Sequence, residues 1–353
     1  MNKKYIILLG LALLAASCNP FSQTLAAGVV KSVNGGVNWQ FFDALKSGAT
    51  PNLSVLSISK LGFDPTNNER VYAGSYTGGF FKSDDSGATW TNILSKIYVY
   101  DFAVTQSQPQ IIYTAGFFAD HGRVLKTTDG GSSWNQVYNE ESASNPVRAI
   151  SINPDNPNQL VIGTSSGEVV KSSDGGTTWQ LSKNFNDQIN RILWQNGKIY
   201  VLLKTKGLFE SADAGANFTE LTSGLSTTYS LAGAAYTNSS ISSFSQDFVD
   251  PADPNLIYIT TDQGLYKSIN AGKSWSSISL PVKPSQGATK AIAVGNNSSN
   301  IVFTSVGSTI YKSVDAGVTW QTQSITSGGF INYILINPQL PQIVYAGIYA
   351  NPQ

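Results

Sequence analysis

Apolar and polar positions alternate along this chain in a form that keeps returning. In Ile150-Ser151-Ile152-Asn153-Pro154 they alternate strictly, a proline interrupts, and the apolar run Leu160-Val161-Ile162-Gly163 follows. Alternation, Asn-Pro punctuation and a short apolar run read as strand, turn, strand. The same succession appears in Phe63-Asp64-Pro65 with Val71-Tyr72-Ala73-Gly74, in Val249-Asp250-Pro251 with Leu256-Ile257-Tyr258, and in Ile336-Asn337-Pro338 with Ile343-Val344-Tyr345-Ala346-Gly347. Weaker versions fill residues 102–116, 192–202 and 292–304, which makes seven strand pairs.

Between these pairs a second motif recurs, clearest in Lys171-Ser172-Ser173-Asp174-Gly175-Gly176-Thr177-Thr178-Trp179. Two glycines can take positive φ without a Cβ penalty, so the chain reverses tightly there. Ser172 and Asp174 can accept hydrogen bonds from the turn's own N–H groups, and the ring of Trp179 can be buried between neighbouring sheets. Copies of this box occupy residues 32–39, 83–90, 127–134, 172–179, 211–218, 268–275 and 313–320. Their acidic position holds Asn34, Asp85, Asp129, Asp174, Asp213, Asn270 and Asp315, and their aromatic position Trp39, Trp90, Trp134, Trp179, Phe218, Trp275 and Trp320. Successive acidic positions lie 51, 44, 45, 39, 57 and 45 residues apart, the spacing of four-stranded propeller blades rather than of a helical solenoid. A motif present seven times reads as scaffold, since seven near-identical active sites in one chain would be anomalous.

The order of the motifs predicts how the ring closes. The first box has no strand pair before it, and the last strand pair has no box after it, so each chain end carries half a blade. Pairing the two halves leaves no sheet with an unfilled edge. The expected fold is therefore all-β: a seven-bladed β-propeller of four-stranded antiparallel blades, the last blade closed by strands from both termini.

Composition narrows the partners. Lys+Arg and Asp+Glu balance at 22 each and charged residues are 12% of the chain, so no net field draws polyanions, and nucleic acid is not an expected partner. The first 17 residues read as an export signal: Lys3 and Lys4, an apolar run from Tyr5 to Ala16 too short to span a bilayer, then small residues. Cys18, the single cysteine, follows Ala15-Ala16-Ser17 in a segment that resembles the bacterial lipoprotein lipobox, with Ala15 where that pattern most often has leucine. Ordinary signal cleavage is the alternative. The resulting division is a signal peptide over 1–17, a lipidated tether over 18–27 and one propeller over 28–353, with the membrane touched through the lipid only.

The Ser-x-Asp-x-Gly-x-Thr-Trp boxes and the Tyr-Ala-Gly strands resemble the Asp-box (BNR) repeat propellers over residues 28–349. Among these, seven short blades with a box in each are similar to the photosystem II stability and assembly factor group and to the sortilin-type propellers. Sialidases and xyloglucan-active glycosidases share the box, so the resemblance implies the fold and leaves the activity open. A sialidase would need three arginines around a carboxylate, and the chain's four, Arg70, Arg123, Arg148 and Arg191, do not stand in that family's arginine motif. A xyloglucan-type glycosidase would need two carboxylates about 5 Å or roughly 6.5–9.5 Å apart. Asp43, Asp64, Asp101, Asp120, Glu140, Glu141, Asp187 and Asp247 are the candidates outside the boxes. Those glycosidases resemble tandem propellers with long cleft-forming loops, whereas this chain predicts one ring with short loops.

The expectation is consequently a non-enzymatic propeller that binds a protein or glycan partner, an assembly factor being one form of it. A glycoside hydrolase and a structural subunit of a surface assembly are the alternatives. Propeller ligands meet the face where the innermost strands begin and the second-to-third-strand loops lie, opposite the boxes. Aligning the inner strands puts Ser59, Tyr100, Arg148, Asn190 or Arg191, Lys290 and Asn332 near that mouth. Cations without matching acids favour an anionic peptide or glycan group. Two insertions point to the same face: residues 223–245, with Tyr229, Tyr236 and Phe244, and Phe117-Phe118-Ala119-Asp120-His121-Gly122-Arg123, which lengthens a second-to-third-strand loop. His121 has no cysteine, histidine or carboxylate cluster at ligand spacing, so neither a metal nor another cofactor is expected.

Overall fold

A computed structural model describes residues 27–46, 53–223, 225, 228–231, 234–237, 241–282, 288–295, 298–327 and 329–350. Cys18, the export signal and the tether up to residue 26 lie outside the described residues. Seven four-stranded antiparallel sheets form a ring. Their innermost strands, blade 1 to blade 7, are Ile58–Asp64, Tyr98–Val104, Val147–Asn153, Ile189–Gln195, Phe244–Val249, Thr289–Gly295 and Gly329–Ile336.

Blade 3 shows the unit. Val147–Asn153 pairs with Asn156–Thr164 across the Asn-Pro turn, and that strand pairs with Glu168–Ser172, which pairs with Gln180–Asn184 across the box. Blade 7 is the exception in connectivity: Gly329–Ile336 and Val344–Ala350 supply its inner half, Gly28–Ser32 and Gln40–Phe41 its outer half. The seam runs antiparallel with Val30 opposite Ala346 and Lys31 opposite Tyr345. The closure predicted from the motif order is the closure observed.

Apolar side chains from facing blades gather into seven buried clusters, one at each contact between neighbouring sheets. The seam cluster joins Val29 and Tyr345 of blade 7 to Ile58, Leu61, Val71, Phe81 and Trp90 of blade 1. Because each sheet is apolar on both faces, no blade has a core of its own, and stability resides between blades.

The box turns tie those seams. In blade 3, Ser172 Oγ accepts the Gly176 N–H at 2.9 Å, and Asp174 Oδ1 accepts the Thr178 N–H at 2.8 Å while Oδ2 accepts the Thr178 hydroxyl. These bonds hold the Asp174 carboxyl down at about 2. Gly175 and Gly176 have φ of +70° and +92°. The two positions differ: Ser86, Ala214, Ala271 and Ala316 stand at the first with φ between 52° and 58°, whereas the second is glycine in every box because it abuts the preceding blade.

Two further kinds of contact cross several of these seams. Tryptophan indoles donate to carbonyls of the preceding blade's outer region: Trp90 to Phe42, Trp134 to Ile93, Trp179 to Val137 and Trp275 to Leu221. In return, the lysine ahead of a box reaches the next box's carbonyl, as Lys31 does to Ser86, Lys126 to Gly175 and Lys171 to Ala214. The box is thus a clasp between blades as well as a turn within one.

Candidate binding face

Antiparallel alternation sends the second-to-third-strand turns and the links between blades to one end of the ring, where the inner strands begin. The boxes and the Asn-Pro turns lie at the other end. Inner strands crowd together near the axis, so their polar side chains have two fates: bonding across to the next inner strand or lining the central opening.

Many do the first. Ser59 Oγ donates to Val99 O at 2.6 Å and Asn332 Nδ2 to Ile58 O at 3.2 Å. Asp101 accepts the Ile150 N–H, Ser151 the Trp194 N–H and Gln246 the Ile292 N–H. These bonds satisfy buried amides and carbonyls at the innermost edges, which otherwise would lack partners. Ser59 and Asn332, expected near the mouth, serve this stitching and line the central cavity as well.

The second group lines a cavity of ≈ 530 Å³ to which all seven inner strands contribute. Tyr100, Arg148, Asn190, Arg191 and Lys290 are brought together there as their alignment predicts. Arg148 lies with Cζ 4.5 Å from the Tyr100 ring centroid. Arg191 is three-quarters covered and faces Asp247 at 3.5 Å, whose side chain is almost wholly buried. Burial works against the charge of the Arg191 guanidinium, but Asp247 overrides it and raises its pKa; burial pushes the Asp247 carboxyl up against the pull of Arg191. Lys60 binds Asp101 at 2.5 Å and donates to Phe102 O, so this cation and this acid neutralise each other. Arg148 and Lys290 have no carboxylate within ion-pair reach among the described residues.

Beside the cations stands a row of rings that sequence reasoning missed. Phe330 stacks on Tyr349 at 4.9 Å, Tyr349 meets Tyr76 at 5.3 Å, and Tyr76 meets Tyr100 at 5.4 Å, so four half-buried rings from blades 7, 1 and 2 run into Arg148. Burial raises the Tyr76 hydroxyl pKa and the nearby Arg148 charge opposes it. A signal for this row exists in the chain. Ala73-Gly74-Ser75-Tyr76, Ala115-Gly116-Phe117-Phe118 and Ala346-Gly347-Ile348-Tyr349 each place an aromatic two residues beyond an Ala-Gly pair, at the mouth end of a second strand.

The remaining candidates sit elsewhere on the same end. Phe117, Phe118, His121 and Arg123 do not line the cavity. The segment is not a lengthened loop: strands Ile112–Phe118 and His121–Thr127 extend until only Ala119 and Asp120 turn between them, both at positive φ. That is the two-residue hairpin geometry matching the twist of the strands. Phe118 is exposed with Arg123 over its ring at 5.0 Å, and His121 Nδ1 lies 3.1 Å from Ala119 O. In the insertion at 223–245, Thr228–Leu231 and Ala234–Thr237 pair as a separate hairpin, whereas Phe244 is buried at the start of blade 5's inner strand and is no surface anchor. Among the described residues no group of three or more His, Cys, Asp or Glu is arranged to hold a metal ion, and no helix is long and apolar enough to cross a membrane.

No protein-family model and no curated protein matches the chain. Solved structures do. A GH74 xyloglucanase from Xanthomonas campestris superposes with a TM-score of 0.67 at 16% identity over 83% of this chain and 51% of its own. YCF48 from Cyanidioschyzon merolae gives 0.59 at 15% identity over 83% and 96%, and YCF48 bound to D1 peptide gives 0.59 at 15% over 84% and 93%. The likeness is one of fold. This chain spans about half the length of the xyloglucanase and nearly the whole of each YCF48 chain.

Proposed function

We propose that the protein is an exported, non-enzymatic propeller of the Asp-box class, anchored through lipid on Cys18, whose mouth binds an acidic segment of a protein partner. The observation that carries this reading is the pairing of Arg148 and Lys290, cations lining the mouth with no carboxylate partner among the described residues, with the aromatic row ending on Tyr100. A partly buried cation without a counter-ion gains from an anion the partner brings, and half-buried rings beside it add contact area at small entropic cost.

Hydrolysis is disfavoured by how the acids near the axis are engaged. Asp101 is committed to Lys60 and to the amides of Phe102 and Ile150, and Asp247 is buried behind Arg191. Neither is available to protonate a leaving group or activate water from the open cavity. A peptide-bound propeller of nearly the same length, YCF48 with its D1 peptide, supports a protein ligand over a glycan.

Binding of acidic peptides, neutral peptides and uncharged oligosaccharides to the wild-type chain and to Arg148→Glu/Lys290→Glu tests this. Acidic peptides bind wild type and are lost by the double reversal, whereas reversal of the exposed Lys46 and Lys183 leaves them bound. Oligosaccharide binding unaffected by the reversal would replace the peptide reading with a glycan one. A mature N-terminus beyond Cys18 by mass spectrometry would remove the lipid anchor and leave the mouth untouched.

A further inference from the structure

The end of the ring that carries the boxes is divided. The boxes of blades 1 to 4 hold Asp84, Asp85, Asp129, Asp174 and Asp213 and no lysine or arginine. The boxes of blades 5 to 7 expose branched apolar side chains instead: Ile269, Val314, Val318, Val33 and Val37, from 55% to 79% exposed, with Leu340 beside them on an Asn-Pro turn of blade 7. Their charged positions are reduced to Lys273 and Asp315, of opposite sign, and the exposed Asp253 stands on the proline turn of blade 5. These three blades are neighbours, with Ile278 of blade 5 against the glycine of the blade 6 box, Gly317, and Phe303 of blade 6 against that of the blade 7 box, Gly36.

The two boxes that lack the acid, at Asn34 and Asn270, both fall in this sector. Folding does not require the difference. Asn34 Oδ1 accepts the Asn38 N–H and the Ser32 hydroxyl, and Asn270 Oδ1 accepts the Ser274 N–H and the Ser268 hydroxyl, as the aspartates do elsewhere. What asparagine removes is charge, in the same blades where valine and isoleucine face outward. Burying a carboxylate costs several-fold more than burying an amide, and leaving branched apolar groups in water is unfavourable. Both changes suit a surface that is covered.

We propose that the charge-poor apolar sector formed by the boxes of blades 5 to 7 is a self-association surface on which a second copy of this chain docks about a two-fold axis. In such a contact each patch meets its own kind, so carboxylates at Asn34 and Asn270 would confront like charges, whereas apolar groups are complementary to themselves and an amide can both donate and accept. Lys273 and Asp315 can meet across the axis as opposites. A lipid surface fits less well, because it favours a basic rim with outward aromatic rings, and Trp275 is turned into its seam to bond Leu221 O. The exposed apolar area is on the order of a few hundred Å² per copy, short of the roughly 800 Å² per partner of a standard interface. The dimer is therefore weak, and it leaves both mouths open on its outer sides.

Sedimentation velocity of the detergent-solubilised full chain, from about 1 to about 100 μM, reads the result directly. Wild type shows a concentration-dependent monomer–dimer equilibrium. Asn34→Asp/Asn270→Asp keeps every box acceptor, melts as wild type does, and raises the dimer dissociation constant at least tenfold, while Thr177→Asp in the acidic half changes nothing. If the double variant folds poorly, Ile269→Ser/Val318→Ser serves in its place with the same expected shift. A wild-type chain monomeric throughout the range, or variants that dimerise as well as wild type, would overturn the proposal. A monomeric wild type that loses a co-purified protein on Asn34→Asp/Asn270→Asp would overturn it too, and would give the sector to that protein.

Discussion

Tyr345, near the C-terminus, donates its hydroxyl at 2.8 Å to the carbonyl of Ser86, 259 residues earlier in the chain. Lys31, on the N-terminal strand, donates to the same carbonyl at 2.8 Å. One oxygen in the blade 1 box therefore holds both halves of blade 7, and with them both ends of the chain. Burial lowers the Lys31 pKa against the pull of Asp85, so the ammonium keeps its place by this bond and by lying over the Phe42 and Tyr345 rings.

Tyr345→Phe and Lys31→Met each remove one donor and leave the other. Each costs about 1 kcal/mol, and the double variant costs more than their sum, because only then does a part-buried carbonyl stand without a partner. Denaturant unfolding of the four proteins in a double-mutant cycle checks this; strict additivity would mean that the two donors do not share the acceptor.

The box glycines separate by the same geometry. Gly175→Ala is tolerated within about 1 kcal/mol, since alanine already occupies the equivalent left-handed position at residues 214, 271 and 316. Gly176→Ala destabilises more, because its φ is +92° and a Cβ would lie 3.2 Å from Val137 on the preceding blade. Equal melting temperatures for the two variants would contradict the clasp geometry.

Acid should loosen the boxes. The folded-state pKa of Asp129 and Asp174 is held at about 2, below the ordinary 3.8, by bonds to Ser133 and Thr178 respectively. A depressed carboxyl contributes stability that is present above pH 3.8 and is lost as pH falls towards 2. Asp129→Asn/Asp174→Asn, which copies Asn34, is predicted to flatten the decline of melting temperature across that window and to change little at pH 7. An unchanged acid limb in the double variant would show that other groups set it.

Lys171 lies beside a box, a position where charge reversal of a solvated side chain would be nearly neutral. Its bond to Ala214 O across the seam makes it a structural residue instead. Lys171→Glu is expected to cost about 1 kcal/mol, measured by thermal unfolding, with no effect on binding at the opposite mouth.

The architecture was legible because its determinants are local and repeated. The alternation around Ile150, the Asp174-Gly175-Gly176 turn and the absence of a strand pair before Ser32 are each visible within a few residues, and their order alone forces the shared blade. The site was legible only in part. Tyr100, Arg148, Asn190 and Lys290 occupy equivalent places on the inner strands of blades 2, 3, 4 and 6, and Arg191 lies one residue beyond Asn190, so alignment finds them. That Lys60 is spent on Asp101, or that Ser59 bonds Val99, depends on the small distance between neighbouring blades at the axis, which no single repeat encodes. The hairpin at Phe117–Arg123 was misread as a loop because Ala119 and Asp120 are unusual residues for two consecutive positive φ values, a place where Asn-Gly would have announced the turn. The row Phe330, Tyr349, Tyr76 and Tyr100 joins residues from opposite ends of the chain, and becomes adjacent only once the ring is closed.

The mouth as the partner's contact is tested most directly by photo-crosslinking in living cells, with a crosslinking amino acid placed at Tyr349 in the aromatic row and, separately, at Thr177 on the acidic half of the box end. The mouth position is predicted to capture one polypeptide other than this chain, with capture abolished by Arg148→Glu/Lys290→Glu, and the box position to capture none. Capture from Thr177 and none from Tyr349 would contradict the account and move the binding face to the other end of the ring.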